Sequence, residues 1–191
     1  MDETQHEVNT PREVVREFVV ASASLDADRM AACTSGDEID REHMRAFLDM
    51  RNANVAFKEK VLATYGADGW ATFNDNEHGF LRATARRDVD AELERSEDYR
   101  IRVTGDSAVC MAPGEEDGIH LVRQQGRWSV ALRETMGLSS QKAESEGQLY
   151  AALAKLVNSK MNRIGADGVT PETLDKEMGA AIRPLIEVAE R

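Results

Sequence analysis

Apolar positions along the chain change period twice, and the changes divide it into helical, stranded and again helical stretches. Thr10-Pro11-Arg12-Glu13 carries Thr, Pro and Glu where a helix wants its N-cap, first and third residues. Val14, Val15, Phe18 and Val19 then recur at helical spacing and define one apolar face. A second short helix is expected over Leu25 to Cys33, stopping near Ser35-Gly36. The longest is expected from about Ile39 to Thr64, capped by Asp37 or Asp40. Met44, Phe47, Leu48, Val55, Leu62 and Tyr65 lie along one stripe, and Gly66 supplies the stop. Residues 66–80 read as a loop-rich connection pinned by Trp70, Phe73 and Phe80, and 81–98 as a short helix giving way to irregular chain.

From Tyr99 the period is two. Tyr99, Ile101 and Val103 alternate with Arg100, Arg102 and Thr104, and Gly105-Asp106 turns the chain into Ser107–Met111. Pro113-Gly114 and an acidic loop lead to Ile119–Gln124, and Gln125-Gly126 turns into Arg127–Leu132. Connections this short allow only antiparallel pairing between successive strands. After residue 140 the helical period returns. Leu149, Leu153, Leu156, Val157, Met161 and Ile164 share one face, and Thr170-Pro171 starts a last helix that Pro184 should kink or interrupt. These elements predict one α+β domain over 1–191. Its 10–134 part packs helices on an antiparallel sheet of about four strands, and 140–191 adds a two-helix C-terminal extension. "YGADGW" and "IGADGV" look alike because each follows a helix, not because the chain is duplicated.

Composition narrows the range of roles. The chain is 41% hydrophobic and 31% charged but only 5% aromatic, so its core is mainly aliphatic, Ala and Met. Thirty-five Asp and Glu against 24 Lys and Arg give a net charge of −11, a surface that repels phosphate backbones and anionic headgroups. Nucleic acid is therefore not an expected partner. Membrane insertion is not expected either, because no apolar run nears the roughly 20 residues a bilayer requires. The polar start "MDETQHEVNT" implies a cytoplasmic protein if Met1 is the native start, and an exported one if a leader was removed ahead of it. Cys33 and Cys110 have no metal-like spacing and read as buried free thiols, with a disulfide open only to an exported protein.

Catalytic signals are sparse. His6, His43, His78 and His120 are scattered, with no His-x-x-x-His or Cys-x-x-Cys pair, so no metal site is expected. "GADGVTPETLD" and "FNDNEH" lack the alternating oxygen ligands of a calcium loop. There is no Gly-x-Ser-x-Gly elbow and no phosphate-binding Gly loop, so no cofactor is expected. Acid–base catalysis needs only one Asp or His in an apolar pocket, which makes His120, Asp75 and His78 the catalytic candidates. His120 shares a strand face with Val122, whereas Ile119 and Leu121 share the other. Two inward aliphatics bury more apolar area, so alternation favours an outward His120. Tyr99, His120 and Trp128 are the candidate ligand contacts, with Trp128 reading first as a core anchor beside Val130 and Leu132. The acidic run from Asp88 to Asp98 reads as a solvated face.

Val103-Thr104-Gly105-Asp106-Ser107-Ala108 turns one strand into the next, and Val122-Arg123-Gln124-Gln125-Gly126-Arg127-Trp128 turns a penultimate strand into a Trp-led last one. Preceded by helices, this arrangement resembles the nuclear transport factor two-like superfamily, a cystatin-like cone of helices packed into a curved sheet. The resemblance covers residues 10–134 and is most specific over 99–134. It implies either an isomerase, dehydratase or polyketide cyclase working inside the cone, or a non-catalytic module binding a ligand or a protein. Enzymatic members look to need an Asp or His pair in the cavity, and no such pair is assignable here. The leading expectation is a soluble non-catalytic module binding a small apolar ligand or a protein through the concave sheet face. The rival is a cofactor-free acid–base enzyme of the cyclase or isomerase type using His120 or the Asp75–His78 group. The C-terminal extension, which the basic cone does not require, would plug the cone mouth or supply a homodimer surface.

Overall fold

The structure, a computed structural model, describes residues 9–74, 81 and 87–189. Its contacts group into two compact units, one of Met1–Arg41 with Arg87–Ser140, the other of Glu42–Arg86 with Gln141–Arg191. The chain is α+β, with a five-stranded mixed open sheet.

The first unit opens with α1 (Pro11–Ser24) and the capping box its sequence predicts. Thr10 Oγ1 accepts from the Glu13 N–H at 3.3 Å, and the Glu13 carboxylate accepts from the Thr10 N–H at 2.6 Å. Next come α2 (Ala27–Cys33), capped by the Asp26 side chain, and β1 (Thr34–Ser35). After α4 (Val89–Glu97), capped by Asp88, the chain runs β2 (Arg100–Thr104), β3 (Ser107–Met111), β4 (Ile119–Gln124) and β5 (Arg127–Ala131), then α5 (Leu132–Met136). The strands lie in the order β1-β5-β4-β3-β2. The antiparallel meander of the four successive strands is there as expected. The expected count of about four misses β1, which pairs with β5 in parallel through Thr34 with Val130 and Ser35 with Ala131. Two residues between helices are too few to show a period, so the pairing has no local signature.

The two tight turns follow strand twist. Gly105 at φ 62 opens the β2–β3 turn, while Gln125 at φ 51 and Gly126 at φ 81 form the β4–β5 turn. These are the primed turn geometries that match right-handed strands, and they demand residues tolerant of positive φ. Alternation then separates the two faces of the sheet. Ala108, Cys110, Leu121, Trp128 and Val130 point to the side where Val14, Val15 and Val19 of α1 complete a buried cluster. Val109 and His120, opposite each other in register, take the other face with Val122 and Ser129.

The second unit is helical. It contains most of α3 (Glu38–Ala71), whose first turn belongs to the other unit, together with α6 (Ser140–Lys160) and α7 (Pro171–Ala189). Gly66, at φ 73 and ψ −170, breaks α3 where a stop is expected, although helix resumes to Ala71. Met50, Phe57 and Val61 of α3 share one core with Leu153 and Val157 of α6 and Leu174, Met178 and Ile182 of α7. The tail that reads as an extension of a 10–134 body thus packs with α3. Tyr65 clamps the α6–α7 connection, accepting from the Gly165 N–H at 2.8 Å and donating to the Val169 carbonyl at 2.9 Å. Helix α7 continues through Pro184 to Ala189.

Candidate functional site

Inside the first unit, α1, the start of α4 and the adjoining sheet leave a cavity of about 110 Å³ lined by Phe18, Val19, Glu92, Tyr99 and Ile119, among others. Small-molecule sites typically need roughly 300–1,000 Å³. At ~30 Å³ of liquid volume per water, this one holds a few water molecules. Its polar lining is already engaged. Glu92, whose side chain is 12% exposed, lies 3.1 Å from Arg95 Nη2 and 3.9 Å from Arg87 Nη1. Burial, and then the Glu92 carboxylate, raise the pKa of Tyr99, so its phenol is held protonated and is a poor base.

Of the residues singled out in the sequence, Tyr99 lines this cavity and Trp128 is 6% exposed in the adjoining core. The Arg123 guanidinium sits over the Trp128 indole at 5.3 Å and is itself anchored to Asp106 at 2.7 Å. Trp128 is a core anchor, as its alternation with Val130 predicts. His120 is not with them. It lies on the opposite face beside Val122, 31% exposed at its side chain, with Nε2 2.7 Å from Oδ1 of the exposed Asp117. Its main chain is tied to Thr135 of α5, whose Oγ1 accepts from the His120 N–H at 3.0 Å. Asp75 and His78 lie outside the described residues.

Both cysteines are free. The Cys33 thiol donates to the Met30 carbonyl at 3.3 Å, and burial pushes its pKa up to about 11. Burial raises Cys110 as well. Neither has the lowered pKa that makes a thiol nucleophilic.

A larger concavity, about 480 Å³, opens on the His120 side of the sheet, where Thr34, Ser35 and Gly36 pass Val122, Gln124 and Ala131. Its floor is a polar knot built on the α3 caps the sequence offers, Asp37 and Asp40, and completed by Arg133. Asp37 and Asp40 cap α3 reciprocally: Asp37 Oδ1 accepts from the Asp40 N–H at 3.0 Å, and Asp40 Oδ2 from the Asp37 N–H at 3.2 Å. Arg133 reaches both acids, at 2.9 Å to Asp40 Oδ1 and 2.7 Å to Asp37 Oδ2, and also donates to Ser140 Oγ. Asp40 is 2% exposed. With its donors taken up in the knot, Arg133 is a structural clamp rather than a ligand hook. The Asp-x-x-Asp spacing was the only local hint.

In the second unit His43, one of the four scattered histidines, is 7% exposed. Its Nε2 lies 3.3 Å from Glu146, its ring packs at 5.5 Å on Tyr150, and its Nδ1 has no partner among the described residues. Gly147 lets α6 approach, since a Cβ there would stand 3.2 Å from the His43 Cα.

Among the described residues, no group of three or more His, Cys, Asp or Glu side chains is placed to hold a metal ion, and no helix is long and apolar enough to cross a membrane. Among the described residues the first unit is α+β, with one sheet face closed by α1 and the other half-buried along Val109, His120, Val122 and Ser129. Compared with family models, curated proteins and solved structures, the chain matches none.

Proposed function

We propose that the chain is a non-catalytic binding module whose ligand is another protein, docked on the sheet of the first unit. The observation that supports this is the filling of the face turned toward α1. Trp128, Val130, Leu121, Cys110 and Ala108 close on Val14, Val15 and Val19, leaving about 110 Å³. A substrate or small apolar ligand needs several times that volume. Macromolecular docking needs a surface instead, and the opposite face, exposed at Gln124 and Arg127 and half-buried at His120, Val122 and Ser129, borders the wide cleft. The kinship with the nuclear transport factor two-like superfamily belongs to the same reading. It is supported by α1 packing on the antiparallel meander, in a superfamily that includes protein-binding members.

The acid–base alternative finds less support. His120 is on the opposite face against Asp117, and the Glu92 carboxylate in the small cavity is engaged by two guanidinium groups.

A photo-crosslinking residue placed at Arg127, exposed on β5, tests the proposal in cells of the natural host. The expected outcome is a discrete protein adduct missing when the same residue replaces exposed Arg183 of α7. No adduct at Arg127, together with melting-point shifts of several degrees from small apolar molecules, would overturn the proposal.

A further inference from the structure

Among the described residues β2 has no strand beyond it: the order stops at β2, and four of its five residues are exposed. Hairpin geometry decides which main-chain groups are left over. The Arg123 N–H donates to the Asp106 carbonyl, so the facing pair Ser107 and Val122 is a non-bonded pair between β3 and β4. Ser107 therefore turns its N–H and carbonyl toward Thr104, and bonded pairs alternate from there along β2. Ile101 and Val103 are left with their N–H and carbonyl groups directed out of the sheet.

Side chains on this edge alternate in character. Ile101 and Val103 continue the apolar face, in register with Cys110 and Ala108. Val103 is 52% exposed, the most accessible large hydrophobic side chain among the described residues. Arg100, Arg102 and Thr104 take the other face, and neither arginine forms an ion pair among the described residues. Arg100 and Arg102 are the protection this edge carries, and they select an acidic partner rather than bar every strand, since β2 contains no proline and its inward-facing positions are apolar.

We propose that β2 is a docking edge for an extended segment of another protein in which apolar residues alternate with acidic ones. The segment adds a sixth strand, bonding through the free main-chain groups of Ile101 and Val103. Its apolar side chains cover those two residues, and its acidic side chains meet Arg100 and Arg102. The same two arginines argue against a second copy in the two registers that overlap β2 most fully. Antiparallel self-pairing centred on Arg102 sets two Arg102 side chains opposite each other, and centring on Ile101 sets Arg100 opposite Arg102. Although the chain carries −11 overall, screening over about 8 Å at physiological ionic strength leaves charge selection to the nearest pairs. The inference rests on the protein-binding reading and specifies its partner.

The test uses the full chain and two synthetic peptides of about eight residues, the usual span of a strand, one alternating Val and Glu and the other Val and Lys. The Val/Glu peptide should bind, slow hydrogen exchange at the Ile101 and Val103 amides, and bind roughly tenfold more tightly than Val/Lys, the size expected from two cross-strand charge pairs changing sign. The variant R100E/R102E should reverse that preference. Val103→Pro removes an outward N–H that bonds nothing in the sheet, so it should leave the melting temperature nearly unchanged while abolishing peptide binding. Equal binding of the two peptides, or binding indifferent to Val103→Pro, would overturn the assignment. So would a dimer in solution that Val103→Pro dissociates, since a second copy would then occupy the edge. Failure of both peptides with the Arg127 adduct retained sinks the edge alone, whereas loss of both signals sinks the protein-binding reading.

Discussion

Asn9 serves the main chain of Trp128 as a stand-in for a neighbouring strand. Its Oδ1 accepts from the Trp128 N–H at 2.8 Å, and its Nδ2 donates to the Trp128 carbonyl at 2.9 Å. Trp128 faces Arg123 on β4, while the pairing of β1 with β5 begins two residues later at Val130. The side-chain amide thus covers the stretch of β5 that β1 is too short to reach, and it fastens the entry of α1 to the sheet. Asn9→Ala should cost about 1–2 kcal/mol in denaturant unfolding, for two partly buried bonds. Asn9→Asp keeps the acceptor but sets a carboxylate against a carbonyl. Its melting temperature should fall at pH 7 and recover below about pH 4, where the acid is protonated and donates again. A variant equally stable at both values would show that the amide donor contributes nothing.

Arg133 and Asp40 form the second long-range tie. Asp40 is nearly inaccessible, so removing its partner strands a carboxylate away from water, whereas removing both does not. Arg133→Ala should lower the melting temperature, because it leaves the Asp40 carboxylate without its cation. Asp40→Ala with Arg133→Ala should cost clearly less than the sum of the single changes, a coupling readable from a double-mutant cycle. Additive costs would mean the two groups do not depend on each other.

These ties show where sequence reasoning ran out. The α1 capping box is legible because both halves lie within four residues, and β2–β5 because period-two runs meet at Gly-containing turns. Alternation also told the two faces of β4 apart, sending Leu121 inward and His120 outward. Asn9 and Trp128 are 119 positions apart and Asp40 and Arg133 are 93 apart, so although Trp128 reads as a core anchor and Asp40 as a helix cap, nothing local joins either to its partner. The candidate site suffered most. Whether the face beneath α1 is hollow or filled depends on how Trp128 and the α1 valines interlock, which no period encodes.

Cys33 gives the chain a pH dependence on the alkaline side. Its ordinary value of 9.0 is pushed up to about 11 by burial, so between those values the folded state holds a proton that the unfolded state has lost. Its contribution to stability is full below about pH 9 and declines as pH rises toward 11. The Cys33 side chain is half-buried, which limits the loss to about 1–2 kcal/mol. Unfolding free energies measured at pH 8 and 10.5 should fall further for the natural chain than for Cys33→Ala. Parallel slopes would locate the alkaline sensitivity elsewhere.

Gly118, the residue just before β4, lies hard against the main chain of β3. A Cβ at that position would stand 2.1 Å from the Cys110 carbonyl oxygen, a main-chain atom that cannot swing aside as a side chain can. Cys110 faces Ile119 in the ladder immediately beyond, so relief of the clash must open the β3–β4 pairing from that end. Gly118→Ala should therefore cost about 2–3 kcal/mol, the overpacking range, and should speed amide exchange along the β3–β4 pairing. Gly114 makes the fitting comparison. It sits at φ 85 with nothing within 4 Å of its notional Cβ, so Gly114→Ala meets backbone strain without a clash and should cost about 1 kcal/mol, with that exchange unchanged. Equal costs would mean that the approach of the two strands is loose enough to admit a methyl group, and that the register between Cys110 and Ile119 is held by the β3–β4 hydrogen bonds alone.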